Sequence, residues 1–217
     1  MKASLTLENT AYTSAQQPLI NEPQIALVGR SNVGKSSLLN TLGARRNLAK
    51  VSSTPGKTRS VNFFRVMPYN FYLVDLPGYG YARAGHQDRE KWEQLLEDYL
   101  SRCEHLKSVL LLLDCRLPPQ KNDLTLTCFA RDLRLSFLPV LTKSDKCNRR
   151  ERLARQKEWQ SLLGQAPLLT SSVMRMGIDE LWERLLATVG DACNAPVLDS
   201  ATAETPASLE SGRPGLS

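Results

Sequence analysis

No stretch of this 217-residue chain stays apolar for long. The longest apolar run, Val109 to Leu113, falls far short of the roughly 20 residues that span a bilayer. The opening M-K-A-S-L-T-L-E-N-T has no run long enough for the apolar core of a secretory signal. A cytoplasmic protein that does not enter a membrane is therefore expected. The five cysteines (Cys103, Cys115, Cys128, Cys147, Cys193) never form a C-x-x-C pair. That excludes the usual zinc spacing and argues for reduced thiols rather than a disulfide framework. No internal repeat is visible, and no heptads suggest a coiled-coil oligomer, so a monomer is expected. Acidic residues are missing altogether between Pro23 and Val74, where eight Lys or Arg stand.

What is present suits one packed domain. Hydrophobic residues make up 41% and charged residues 23%, values ordinary for a globular fold. Net charge is +6, and the final 23 residues, with one base against three acids, leave +8 on the rest. Ala, Pro, Ser, Gly and Thr supply 15 of those 23, with no aromatic. Such a tail buries too little apolar area to offset its chain entropy, so disorder is expected over 195–217. Residues 1–22 read as a polar lead-in strand or extended arm, and 23–194 as the folded domain.

Within that domain, short apolar runs bounded by turn residues recur at Ile25–Val28, Phe71–Val74, Val109–Leu113, Phe137–Leu141 and Pro167–Leu169. They suit strands buried on both faces. Val61–Val66 and Asn70–Asp75 flank a short turn and predict one antiparallel hairpin. Trp92, Leu95, Leu96, Tyr99, Leu100 and Cys103 fall on one helical face, as do Ile178, Leu181, Leu185, Leu186 and Val189. This alternation predicts an α/β fold with helices on both faces of a mainly parallel sheet. Ligands of such sheets lie at the carboxyl ends of the strands.

The chemistry-bearing motifs fall there. Gly29-Arg30-Ser31-Asn32-Val33-Gly34-Lys35-Ser36 fits G-x-x-x-x-G-K-[ST] between a strand and the helical start Ser37-Leu38-Leu39. Glycines let successive N–H groups curl round a phosphate at the positive end of a helix dipole. Lys35 would reach the β- and γ-phosphates, and the Ser36 hydroxyl would bind Mg²⁺. Asp75-Leu76-Pro77-Gly78 ends a strand beside that loop. Asp75 is placed to hold a Mg²⁺-bound water, and the Gly78 N–H to meet a γ-phosphate.

Thr142-Lys143-Ser144-Asp145 decides between bases. Guanine offers two donors on one edge, which a carboxylate at Asp145 can accept; adenine offers no such pair. A site of that type rejects an analogue by about 10⁴–10⁵. The Lys143 stem can lie against the ring, while Thr142 stands where an asparagine is commoner. Backbone N–H groups of Thr170-Ser171-Ser172 could meet the guanine O6. Thr58, in the loop Gly56-Lys57-Thr58-Arg59-Ser60, is the candidate second direct Mg²⁺ ligand; it would join the metal only when a γ-phosphate is present. Lys35, Thr58 and Gly78 are thus the expected catalytic groups. His86 and His105 read as surface or packing residues.

With these elements in order, the chain resembles the translation-factor-related P-loop GTPases and, within them, the EngB (YihA/YsxC) family of GTP-binding proteins. The residues that carry the resemblance are Asp75-Leu-Pro-Gly-Tyr-Gly-Tyr-Ala82, G-R-S-N-V-G-K-S-S (with Ser37) and T-P-G-K-T. The resemblance spans about residues 20–190. It implies a Ras-like domain with a six-stranded, mostly parallel sheet, GTP or GDP with Mg²⁺ as ligands, and a role in assembling the large ribosomal subunit. It also implies a part in cell division and septation. Tyr79 follows Gly78 where Ras-like enzymes carry a water-positioning glutamine, so turnover should be slow, with Tyr79 pointing away. Asn32 matches an asparagine that related GTPases use to hold a monovalent cation, which makes K⁺ a candidate. The basic stretch Lys143–Glu158, with seven Lys or Arg against three acids, could meet ribosomal RNA phosphates. Two rival readings stay open. One is an RNA-binding assembly factor with a structural, non-hydrolysed nucleotide; the other is an ATPase of similar fold, against which Asp145 argues.

Overall fold

The computed structural model describes residues 3–49, 60–79 and 86–190, with only the helical backbone described over 86–93. Seven strands form one sheet: β1 (Ser4–Ala11), β2 (Gln24–Gly29), β3 (Val61–Met67), β4 (Phe71–Asp75), β5 (Leu106–Asp114), β6 (Phe137–Thr142) and β7 (Leu168–Leu169). Their spatial order is β1-β3-β4-β2-β5-β6-β7. Pairing is parallel from β4 through β7 and antiparallel at β1/β3 and β3/β4. Among the described residues five α-helices follow the strands: α1 (Lys35–Leu42), α2 (His86–Arg102), α3 (Lys121–Asp132), α4 (Arg149–Leu163) and α5 (Ile178–Val189).

Among the described residues the sheet has seven strands where the resemblance implied six, because the first 22 residues supply the lead-in strand β1. Register explains why β1 is hard to read. A bulge between Leu7 and Asn9 inserts one residue and reverses which side chains face which layer. Leu5 consequently packs with Phe64 and Val66 on one face, and Ala11 with Val61 and Phe63 on the other. Without the bulge, positions six apart would share a face. Leu7 is left exposed at the sheet edge, so strict alternation is lost.

Each sheet face carries its own core. Leu110 and Leu112 of β5 face α1 (Leu38, Leu39, Leu42) and α5 (Ile178, Leu181, Leu185). Val109, Leu111 and Leu113 face α2 (Leu95, Leu96, Tyr99, Leu100) and Trp159 of α4. Burying each such side chain contributes about 1.5–3 kcal/mol, which is why the five-residue apolar run of β5 lies inside the sheet, between β2 and β6. The basic stretch becomes a helix only from Arg149. Asn148 caps it, accepting from Glu151 N at 3.0 Å, while Glu151 Oε2 accepts from Asn148 N at 2.7 Å. Among the described residues no helix is long and apolar enough to cross a membrane. The expected tail over 195–217 lies outside the described residues, as does the Trp92 side chain.

Candidate guanine-nucleotide site

The carboxyl ends of β2, β4, β5, β6 and β7 lead into one cluster of loops. After β2 the chain turns through Arg30–Val33, closed by Val33 N donating to Arg30 O at 3.1 Å. Asn32 (φ 64°) and Gly34 (φ 113°) both take the left-handed region; at Gly34 only a residue without Cβ does so at little cost. The amides of Asn32, Gly34, Lys35, Ser36 and Ser37 find no acceptor among the described residues. Helix α1 opens on them with no side-chain cap and no acid in its first turn. Five unsatisfied donors at an uncompensated helix N-terminus make an anion cradle.

Lys35 and Asp75 lie beneath it. Both are buried, and Lys35 Nζ stands 3.5 Å from Asp75 Oδ1. That oxygen is fully buried and has no hydrogen-bond partner. Burial pushes the Asp75 carboxyl up, against the opposing charge of Lys35. A desolvated carboxylate oxygen held only by a long ion pair is under-satisfied, and a water on a hard divalent cation would supply the missing donor. No group of three or more His, Cys, Asp or Glu among the described residues could cage a metal. Mg²⁺ keeps waters and phosphate oxygens as ligands and needs few protein donors. The donor set of Ser36 and Asp75 therefore fits. Thr58, with Gly56, Lys57 and Arg59, lies outside the described residues; Ser60, buried, donates to Asn62 Oδ1 at 3.3 Å.

The segment after β4 lies directly on the phosphate loop. Leu76 N donates to Leu27 O at 3.1 Å, Tyr79 N to Gly29 O at 3.2 Å, and Ser31 N to Tyr79 O at 3.0 Å. Ser31 Oγ donates to Gly78 O at 3.2 Å. A Cβ at Gly78 would sit 3.1 Å from Ser31 Cα and N, so any larger residue would require the phosphate loop to give by a few tenths of an ångström. The Tyr79 side chain turns to the other sheet face, as expected for a residue that does not position water. Its hydroxyl donates to Asp123 Oδ1 of α3 at 2.8 Å.

The base-reading loops are tied more tightly. Thr142 Oγ1 donates to Val33 O at 2.7 Å and lies 3.1 Å from Leu113 O, so a threonine braces the phosphate loop here. Lys143 takes φ 56° and donates through Nζ to Asn32 O at 2.6 Å and Asp114 Oδ2 at 2.8 Å. Ser144 N donates to Thr170 O. Ser171 Oγ donates to Asp145 Oδ1 at 2.7 Å, and Lys146 Nζ lies 3.4 Å from Oδ2. The Ser171 hydroxyl holds the Asp145 carboxyl below its usual range. Asp114 is pushed up by burial, but Arg116 and Lys143 outweigh this and bring it to about 2. Of the three amides expected to meet O6, two are already used. Thr170 N donates to Leu141 O, and Ser171 N to Met176 O. Of the three, only Ser172 has an amide that finds no acceptor among the described residues.

Three contacts escaped the motif reading: Tyr79–Asp123, Lys143–Asp114 and Ser171–Asp145. Only the last joins two motifs already singled out. Asp123 and Asp114 had no spacing to mark them.

Comparison with known proteins identifies the family. Residues 24–143 match the family described as 50S ribosome-binding GTPase. A probable GTP-binding protein EngB from Desulfovibrio desulfuricans is 64% identical over 88% of this chain and 94% of its own length. One from Nitratidesulfovibrio vulgaris is 54% identical over 90% and 91%. The crystal structure of a probable GTP-binding protein engB superposes with TM-score 0.64 at 18% identity, covering 76% of this chain and 98% of that one; at that identity it bears on fold alone. Relatives this similar over most of both lengths, with a family model matched over more than half of the chain, place the protein in the EngB family of P-loop GTPases.

Proposed function

We propose that this GTPase works as a slow, Mg²⁺-dependent switch in assembly of the large ribosomal subunit. It acts as a cytoplasmic monomer, and its loss impairs cell division and septation. The observation that carries the nucleotide reading is the coupling of Asp145, fixed by Ser171, to the phosphate loop through Thr142 and Lys143. One rigid unit thus measures both base and phosphate. Asp145 accepts from the guanine edge, and the Ser172 amide meets O6. The five loop amides and Lys35 hold the β- and γ-phosphates. Ser36 would bind Mg²⁺ directly, Thr58 would join it, and Asp75 would hold it through water; when bound, the ion neutralises charge developing on the phosphate oxygens.

Slow turnover is supported by Tyr79, whose hydroxyl is committed to Asp123 and so does not orient a water. Unassisted hydrolysis should be on the order of 10⁻⁴–10⁻³ s⁻¹, as for related enzymes without an activator. The Asn32 side chain is the proposed K⁺ ligand; equal single-turnover rates in K⁺ and Na⁺ would remove it.

The ribosomal role draws on the family's description and on α4. Arg152 and Arg155 are spent on internal partners. Arg149, Arg150 and Lys157 are exposed, carry no ion pair among the described residues, and share one stripe with Leu153 and Ala154. Free cations in a row suit RNA phosphates, and association should then weaken steeply with salt. The test is co-sedimentation with large-subunit precursors in GTP, GDP or neither, with Lys35→Ala beside the native protein. Retention in GTP only, lost at high salt, is expected; equal retention in all states contradicts the switch. The same cationic stripe favours a second reading, an RNA-binding factor with a non-hydrolysed nucleotide. Single-turnover assays with and without subunits separate the two, because that reading requires no cleavage in either.

A further inference from the structure

Tyr79 is the residue at which the loop after β4 leaves the phosphate loop, and it is held at three points. Its N–H and carbonyl bond Gly29 and Ser31, forming a parallel bridge opposite Arg30. Its ring packs in the α2/α4 core. Its hydroxyl reaches Asp123, a contact between residues 44 apart in sequence. Both side chains are nearly inaccessible, at 8% and 4% exposure. Asp123 lies in the first turn of α3, where the helix dipole favours a carboxylate. Burial pushes Asp123 up, while the Tyr79 hydroxyl, the charge of Arg30 and the Gln120 backbone oppose this. An acid this buried loses a principal donor when the hydroxyl is removed.

The consequence falls on Gly78. Leu76 N and Tyr79 N are both bonded, to Leu27 and Gly29, and Gly78 O accepts from Ser31. The Gly78 N–H alone finds no acceptor among the described residues. It is the one donor of this segment left for a γ-phosphate. We infer that Tyr79 and Asp123 form a latch that positions Gly78 on the phosphate loop before nucleotide arrives, and so sets the ratio of triphosphate to diphosphate affinity. This rests on the guanine-nucleotide reading above. Neither residue touches nucleotide; both act as positioning residues through Gly78. With the latch intact, the cost of ordering Gly78 is met by the fold. With it cut, triphosphate binding must meet that cost, whereas diphosphate, which lacks the γ-phosphate, is spared.

The test uses full-length protein and Tyr79→Phe, which keeps the ring and deletes only the hydroxyl. Affinities for GDP and a non-hydrolysable GTP analogue, each with Mg²⁺, are measured by calorimetry. Backbone exchange at Ser31 and Tyr79 is followed without nucleotide. Fixing one residue's backbone corresponds to roughly a five- to thirtyfold change in an equilibrium. The triphosphate:diphosphate affinity ratio should therefore fall about fivefold or more, with GDP affinity little changed and the two amides exchanging faster. Asp123→Asn, which keeps an acceptor oxygen, should retain most of the native ratio, while Asp123→Ala should match Tyr79→Phe. A Tyr79→Phe ratio unchanged within about twofold, or equal losses for both nucleotides, overturns the latch. If the native protein bound neither nucleotide, the guanine-nucleotide reading would fail instead. The latch would then stand or fall on the exchange data: protection unaltered in Tyr79→Phe overturns it. Should Asp123→Ala not fold, the phenylalanine variant decides.

Discussion

The two ends of the nucleotide site treat their carboxylates in opposite ways. At the base end, Asp145 and Asp114 are held below the usual range by hydroxyl, guanidinium and ammonium donors. At the phosphate end, Asp75 is pushed up because burial outweighs its partners, and its Oδ1 has no hydrogen-bond donor. A lowered carboxylate has its donors already in the fold, and a raised one still lacks some. Base recognition is thus built in beforehand, whereas the phosphate end carries unmet demand that a ligand and its metal can satisfy. That division suits a switch, whose specificity should be constant and whose phosphate contacts should change.

The comparison can be broken first at Asp145. Asp145→Ala removes the acceptor proposed for two guanine donors, each worth about 1.5–3 kcal/mol when the partner is charged. GDP affinity should drop by about 10²–10⁴-fold, read by calorimetry, with thermal stability little changed. Thr142→Val strands the Val33 carbonyl to which the Thr142 hydroxyl donates. It should cost about 1–3 kcal/mol in urea unfolding and weaken both nucleotides together, since it loosens the brace rather than the base contact. Ser171→Ala frees the Asp145 carboxyl; GDP should weaken by roughly tenfold, the equivalent of about one hydrogen bond.

A pH series sharpens the contrast further. Asp114, at about 2 in the folded protein against about 3.9 unfolded, binds fewer protons folded than unfolded between those values. Its stabilisation is complete above the unfolded value and is lost as pH falls toward about 2. Asp114→Asn should flatten that acid limb of the urea-stability profile. The smallest effect is chemical. Burial and the neighbouring Cys147 push the Cys115 thiol up to about 12, so maleimide at neutral pH should label exposed Cys128 and leave Cys115 untouched until unfolding.

Much of this was legible in the sequence, for local reasons. A buried parallel strand is a short apolar run, and a phosphate loop needs its glycines and lysine at fixed spacing, so β2, β4, β5, β6 and the Gly29–Ser36 loop could be read directly. What escaped reading depends on distant partners. The β1 strand hides its pairing because a bulge sends Leu5 and Ala11 to opposite faces. Asp123 looks like any acid in the first turn of a helix until the fold brings Tyr79 to it. Three consecutive small residues could each offer an amide to guanine, but Leu141 and Met176 claim two of them, a competition that no local pattern encodes.

Hydrogen exchange of the same protein without nucleotide, with GDP and Mg²⁺, and with a GTP analogue and Mg²⁺ tests the central claim most directly. The account predicts large new protection at Asn32 and Gly34–Ser37 with either nucleotide, and at Gly78 with the triphosphate alone. Ser144 and Thr170, whose amides are already bonded, should change little. Equal gains at both ends of the site, or gains confined to Ser144 and Thr170, would contradict a base reader built in advance beside a responsive phosphate cradle.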